Sequence, residues 1–268
     1  MSALSNFLFA QILMAQSYAF HAHAPSALIK PSKGLSFIDN PALQSLDTLK
    51  SLRLAINPAP FGIKEYSSYY VSYDVDKVEQ LKHTIALDGI LGSLFSDLQG
   101  VYSISWRDPE GIFLAGMSVK SEFASFDKAL KYKSSAFSIG TLYSLTSQCN
   151  LGSYFSGMIH RSEHFANGID YTGMKSAVGL CYLIADEFEY NLDFVIYTSG
   201  TGFLLSATIP IDNSFTTKVS YATALQSIDV ECKLAAKQWT FHANILYHQF
   251  LGIQYAFGMA YYPSLTEY

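Results

Sequence analysis

The sequence predicts an all-β protein, a transmembrane antiparallel β-barrel of about 15–19 strands with a short N-terminal α-helical segment. From Ile63 onward, apolar residues recur at every second position, the period of a strand whose side chains leave opposite faces. Only 15% of the residues are charged, against about a quarter in typical soluble domains. No stretch reaches the roughly 18 consecutive apolar residues of a membrane helix.

The C-terminal region shows the alternation most clearly. Trp239 to Tyr247 and Leu251 to Tyr261 each place apolar or aromatic residues at odd positions and smaller or polar residues between them. Each run is about ten residues long, enough for a tilted strand to cross roughly 30 Å of hydrocarbon. A soluble β-protein with an aromatic core is the alternative, and solubility without detergent would distinguish the two.

The N-terminal 60 residues are expected to form an arm and a helix inside or beside the pore, and residues 61–268 the barrel. Residues 1–29 contain no Lys or Arg, so a mitochondrial presequence is rejected and a secretory signal lacks its basic region. The helix is predicted over Asn40–Ile56, because Asn40 suits the N-cap, Pro41 suits the first helical position, and leucines follow at near-helical spacing. Asn57-Pro58 then ends it.

Turn-forming pairs such as Asp108-Pro109 and Asn167-Gly168 separate the later strands. Ile90–Asp97 is a possible further strand. The other predicted strands upstream of Trp239 are Lys64–Val75, Val78–Asp88, Gln99–Arg107, Glu110–Val119, Phe123–Tyr132, Ser135–Thr146, Asn150–His160, Met174–Ala185, Tyr190–Ser199, Gly202–Ile209, Phe215–Leu225 and Ser227–Ala236.

Charged residues on these strands identify the face expected to line the pore. In Ser227–Ala236, three charged residues alternate with apolar ones. A lysine facing lipid at the bilayer midplane would cost about 2–4 kcal/mol, so the charged face must point into a wet lumen. The same reasoning gives the pore-lining or substrate-guiding candidates Asp193, Lys218, Asp229, Glu231, Lys233, His242, Asn244 and Gln254.

Nothing in the sequence indicates an enzyme, a cofactor or a metal site. Serine-hydrolase, phosphate-loop, dinucleotide-binding and zinc-protease motifs are absent, and the three cysteines are widely spaced. His160 and His164 have a metal-like spacing but lie where a hairpin loop is predicted. The net charge of −5 argues against a nucleic-acid partner.

Three segments resemble the pore-forming subunit of the translocase of the outer mitochondrial membrane, a mitochondrial porin-superfamily barrel. They are Asn40–Leu43 leading into the predicted helix, the stretch Leu142–Arg161, and the closing strand with Gly258 followed by Tyr261. The resemblance implies a nineteen-stranded barrel with an internal N-terminal helix. It also implies an integral protein of the outer membrane of a mitochondrion or a reduced, mitochondrion-related organelle.

The function that this resemblance implies is a channel importing unfolded, presequence-bearing precursor proteins. Acidic lumen residues, with Asp193, Asp229 and Glu231 as candidates, would attract the basic presequences. The implied partners are precursor polypeptides, receptor and small helical translocase subunits, and membrane lipid, with a homodimer as a further alternative. The alternative is a metabolite pore like the voltage-dependent anion channel, which 17 Lys plus Arg against 22 Asp plus Glu disfavours.

Overall fold

A computed structural model describes residues 40–46, 50–78, 80–126, 130–162, 171–184, 188–197, 200–223 and 226–263. These ranges hold fourteen strands that form one closed barrel in which each strand pairs with its neighbours in sequence. Every pairing is antiparallel, and β14 closes the barrel on β1 with Leu52 opposite Tyr261. The strands are β1 Leu52–Asn57, β2 Tyr66–Val78, β3 Leu81–Gly92, β4 Phe95–Arg107, β5 Phe113–Phe126, β6 Leu130–Thr146, β7 Cys149–Ser162, β8 Tyr171–Ile184, β9 Phe188–Tyr197, β10 Gly200–Pro210, β11 Phe215–Ala222, β12 Ser227–Ala236, β13 Trp239–His248 and β14 Gly252–Tyr261.

The all-β class and the antiparallel barrel are confirmed, but the expected count of about 15–19 strands is wrong for the described residues, which hold fourteen. The predicted strand Phe123–Tyr132 covers the reversal between β5 and β6, and Ile90–Asp97 covers the turn at Ser93 and Leu94. Apolar alternation continues through such short connections. The period of two therefore identifies strands without showing where the chain turns back.

The helix predicted over Asn40–Ile56 is not confirmed. In its place are a 3₁₀ helix, η1 (Pro41–Leu46), and then the strand β1. A second short 3₁₀ helix, η2 (Pro60–Gly62), follows β1. The spacing of three from Leu46 to Leu52 suggested a helix, but Leu52, Leu54 and Ile56 are spaced by two and all point outward. The first barrel strand therefore lies inside the segment predicted to be an arm and a helix.

Side-chain direction alternates along the strands as the sequence predicted. On β13, the outward Phe241 and Tyr247 are 45% and 48% exposed, whereas the inward His242 and Asn244 are 4% and 9% exposed. Hydrophobic side chains with similar exposure cover the outside of the other strands. A wall that is apolar outside and polar inside is the arrangement of a transmembrane barrel.

The two ends of the barrel differ. β1 begins and β14 ends at the same rim, which also carries the connections β2–β3, β4–β5, β6–β7, β8–β9, β10–β11 and β12–β13. The two longest connections, β1–β2 and β7–β8, lie at the opposite rim. In outer-membrane barrels the short turns face the periplasm and the longer loops face outward. Within the described ranges, no helix is long and apolar enough to span a membrane.

Candidate functional site

The inner wall of the barrel is the candidate functional site, and all eight residues predicted to line the pore lie on inward-facing positions of β9 and β11–β14. Asp193, Glu231, His242, Asn244 and Gln254 are buried, whereas Lys218, Asp229 and Lys233 are partly exposed. That these residues line the path of a solute stays a prediction.

Four of these residues form a polar cluster on β12 and β13. His242 Nδ1 lies 3.0 Å from Glu231 Oε1, and Asn244 donates a hydrogen bond from Nδ2 to Asp229 Oδ1. Lys218 of β11 is the register partner of Glu231, which extends the cluster to a third strand. Asp193 on β9 stands apart from it.

This alternation gives a labelling prediction for β12 in a variant without its native cysteines. A membrane-impermeant thiol reagent should react with a cysteine placed at Glu231 but hardly with one placed at Val230 or Leu234, because the latter positions face lipid. Mass spectrometry of the purified, membrane-embedded protein measures the modified fraction. Equal labelling of both faces would contradict the inward direction of Glu231.

Asp74 on β2, an inner residue with four polar partners, was missed by the sequence reasoning. Its carboxylate accepts hydrogen bonds from Ser51 Oγ at 2.7 Å and Thr84 Oγ1 at 2.8 Å. It also pairs with Arg53 Nη2 and Lys82 Nζ, each at 3.0 Å. We call these five residues the Asp74 hub; it joins β1, β2 and β3 at the rim where the first strand starts. The sequence did contain a signal for this hub, because one acidic residue and two basic residues fall at inward positions of neighbouring strands.

A second polar network lies on the inner faces of β4, β5 and β6. Lys120 Nζ donates to Gln99 Oε1 at 2.8 Å and lies 3.7 Å from Glu122 Oε2. Gln99 Nε2 donates to Asp97 Oδ2 at 3.0 Å, and Ser134 Oγ donates to Glu122 Oε2 at 2.9 Å. The polar lining therefore continues onto the part of the wall where the sequence reasoning named no candidates.

The 3₁₀ helix η1 packs inside the barrel against β4, β5 and β6. Asn40 donates hydrogen bonds from Nδ2 to the backbone oxygens of Thr141 and Ser153, at 3.3 and 3.2 Å. Ser103 Oγ donates to Gln44 Oε1 at 2.6 Å. Ala42 and Leu43 complete the contact by packing on Leu114, Leu142 and Cys181, so η1 is held by polar and apolar contacts together.

Two glycines make room for η1. Gly116 on β5 and Gly140 on β6 are register partners. A Cβ at Gly116 would lie 2.5 Å from the Pro41 carbonyl carbon and 2.6 Å from the Ala42 nitrogen, and a Cβ at Gly140 would overlap the Asn40 side chain. Real Cβ atoms do not approach backbone this closely, so a side chain at Gly116 would collide with η1. The glycine pair therefore forms the seat of η1, and η1 narrows the lumen on this side.

The inner wall also has apolar patches. Inward side chains of β7–β11 form a buried cluster that includes Tyr154, Val195 and Leu204 together with Ala177 and Ala222. A second buried apolar cluster lies on β2–β4 and contains Tyr70, Ala86 and Val101. The interior is therefore mixed, with polar networks and apolar patches side by side around the wall. In the part of the chain that the structure describes, no group of three His, Cys, Asp or Glu side chains could hold a metal ion.

The fold is that of an integral outer-membrane β-barrel, and solved structures of such barrels resemble it. It superposes on the toluene transporter TodX of Pseudomonas putida with a TM-score of 0.61 at 11% identity, covering 91% of this chain and 95% of that one. For the toluene transporter TbuX of Ralstonia pickettii the TM-score is 0.60 at 10% identity, with 91% and 99% covered. No protein-family model matches the sequence, and no curated protein matches it either.

These findings overturn the resemblance to the mitochondrial translocase pore. A barrel with an odd number of sequentially paired strands must close with one parallel pair, as nineteen strands require, but β1 and β14 are antiparallel. The similar structures are bacterial transporters, so the mitochondrial assignment is not supported. The motif in Leu142–Arg161 is the turn and alternation of the β6–β7 hairpin, a pattern common to barrels in general. The precursor and translocase-subunit partners rested on this resemblance alone.

Proposed function

We propose that this chain is a passive outer-membrane channel for small polar solutes. The observation that supports this proposal most strongly is the direction of the side chains: buried polar and charged residues point inward, and exposed apolar residues point outward. An apolar outer band matches hydrocarbon, and a polar inner wall replaces the hydration of a solute that moves through it. No covalent step belongs to this mechanism.

A second candidate is a channel for apolar solutes, favoured by the inner apolar patch that contains Tyr154, Val195 and Leu204. The similar structures TodX and TbuX are described as toluene transporters, but identities of 10–11% carry over the fold and not the substrate. Buried polar residues outside this patch favour the polar alternative, because an apolar solute would leave their donors and acceptors unpaired.

Solute flux into proteoliposomes distinguishes the two candidates. We expect vesicles containing the purified protein to swell in isotonic arabinose or glucose faster than vesicles without protein, and to swell more slowly as sugar size increases. If the protein is instead a channel for apolar solutes, toluene should enter these vesicles faster than empty vesicles, and the sugars should enter both at the same rate. Sugar rates equal to those of empty vesicles, with the protein folded and inserted, would contradict the polar channel.

A further inference from the structure

The outer wall of the barrel carries charge on β6. Lys131 and Lys133 are the only Lys, Arg, Asp or Glu among the outward-facing strand residues whose side chains the structure describes, and both are exposed. A charged side chain on the lipid face is costly at the bilayer midplane and is tolerated near the interface. The two lysines therefore mark a level at which the outer wall leaves the hydrocarbon.

The register of β5 and β6 shows the same change of environment. Phe123 is 54% exposed and is the last apolar residue on the outward face of β5, where the outward Ser125 follows it. Phe123 is the register partner of Lys133, and Ser125 is the register partner of Lys131. An aromatic residue followed by polar ones is the arrangement at the edge of the apolar band of a membrane barrel.

The strand β6 is long enough to carry its lysines out of the hydrocarbon. It spans 17 residues, whereas roughly 9–11 residues of a tilted strand cross a bilayer. Its first residues lie next to the β5–β6 connection, at the rim that also carries the long β1–β2 and β7–β8 connections. Because the longer loops of outer-membrane barrels face outward, the lysines lie at the headgroup level of the outer leaflet.

The two ammonium groups are placed to act on one ligand. Residues two apart on a strand share a face and stand about 6.6 Å apart, so the flexible stems of Lys131 and Lys133 can bring both ammonium groups to one phosphate. Lys133 Nζ lies 5.8 Å from the centroid of the Phe123 ring, a cation–π distance that holds its stem against the outer wall. The backbone register also places Arg161 of β7 beside Lys133, which makes it a third basic residue at this level.

We propose that Lys131 and Lys133 form a binding site on the outer wall for the phosphate of an anionic membrane lipid. The ammonium groups pair with the phosphate oxygens, and the acyl chains of the lipid lie along the apolar wall below, where Phe137 is the outward residue four positions along β6. Charge complementarity selects this occupant, because a leaflet presents phosphates at the level where the wall presents cations. The site does not depend on the passage of a solute through the barrel.

Tryptophan quenching by brominated lipids measures this preference beside the lysines. The reporter variant Phe137→Trp, with Trp106 and Trp239 replaced by phenylalanine, is reconstituted in phosphatidylcholine, in phosphatidylglycerol and in mixtures of the two. We expect the reporter to select phosphatidylglycerol, whose headgroup lacks the choline cation that the lysines repel. Lys131→Gln and Lys133→Gln together should abolish the selectivity, each lysine contributing up to about fivefold near an anionic membrane surface.

Two controls separate this site from general attraction to the membrane. Tyr247→Trp on β13 is the matched reporter, because Tyr247 is also 48% exposed on the outer wall towards the same rim, on a part of the wall without a described charged residue. It should show no preference between the two lipids. Lys237→Gln removes an exposed lysine from the β12–β13 turn at the opposite rim and should leave the selectivity of the Phe137→Trp reporter unchanged.

Equal selectivity at the two reporters, or selectivity that survives the loss of both β6 lysines, would overturn the site. Thermal unfolding in each lipid distinguishes lipid binding from a role within the protein. We expect the double variant Lys131→Gln and Lys133→Gln to be less stable than the wild type in phosphatidylglycerol and equally stable in phosphatidylcholine. Equal losses in both lipids would show that the lysines serve contacts within the chain, which also overturns the proposal. These measurements involve no solute flux, so their outcome is independent of the proposed channel function.

Discussion

Replacing Asp74 by alanine should lower the free energy of unfolding by about 3–5 kcal/mol, because it removes a buried carboxylate that pairs with two buried cations. In the hub, Arg53 and Lys82 each lie 3.0 Å from the Asp74 carboxylate. Without it, Arg53 and Lys82 each lose a carboxylate at 3.0 Å, and Ser51 and Thr84 lose this acceptor. Equilibrium unfolding in urea, with the protein in detergent micelles, measures the change.

Asp212→Ala is the matched control for this prediction. Asp212 lies in the β10–β11 turn, where hydrogen bonds from the Ser214 side chain, the Ser214 N–H and the Phe215 N–H hold the pKa of its exposed carboxyl below the usual value. We expect the alanine variant to change stability far less than Asp74→Ala, because water replaces those bonds. Equal losses in the two variants would contradict the importance assigned to the Asp74 hub.

Replacing Gly116 by alanine should displace η1 from the inner wall. The new Cβ would lie 2.5–2.6 Å from backbone atoms of Pro41 and Ala42, and backbone cannot move aside as a side-chain tip can. Loss of the Leu43 burial costs about 1.5–3 kcal/mol. Because η1 occupies part of the lumen, its release should also raise the single-channel conductance measured in planar bilayers.

The control for this variant is Gly100→Ala on β4. A Cβ there meets only Leu87 Cδ2, at 3.6 Å, which is an ordinary contact. We expect wild-type stability and conductance from it. A Gly116→Ala protein with wild-type stability and conductance would mean that η1 neither depends on the glycine seat nor narrows the pore.

Strand alternation made the barrel and the direction of many side chains predictable from the sequence. Phe241 and His242 illustrate why: neighbours in the chain must leave opposite faces of the wall, and only one of them suits hydrocarbon. The same logic identified the inward positions of β11–β14. It did not find β1, whose leucines satisfy a helical spacing and a strand spacing at once.

The contacts that shape the interior depend on chain reversals that alternation does not encode. Asp74 meets Lys82 because β2 and β3 form a hairpin, and it meets Arg53 because β1 pairs with β2. The seat for η1 combines Gly116 and Gly140 with Asn40, a residue about a hundred positions away from Thr141, whose carbonyl it contacts. The resemblance to the mitochondrial translocase pore was wrong for a related reason. It depended on short motifs, and hairpins of membrane barrels in general share the same alternation and turn.

Ion conductance of the purified protein across a planar lipid bilayer decides whether this barrel is a channel. A membrane-spanning barrel with a polar inner wall should add discrete current steps in KCl that scale with salt concentration and increase when Gly116→Ala releases η1. A protein that is inserted and folded as a barrel by circular dichroism, yet adds no current steps in either form, would contradict the account of this chain as a channel.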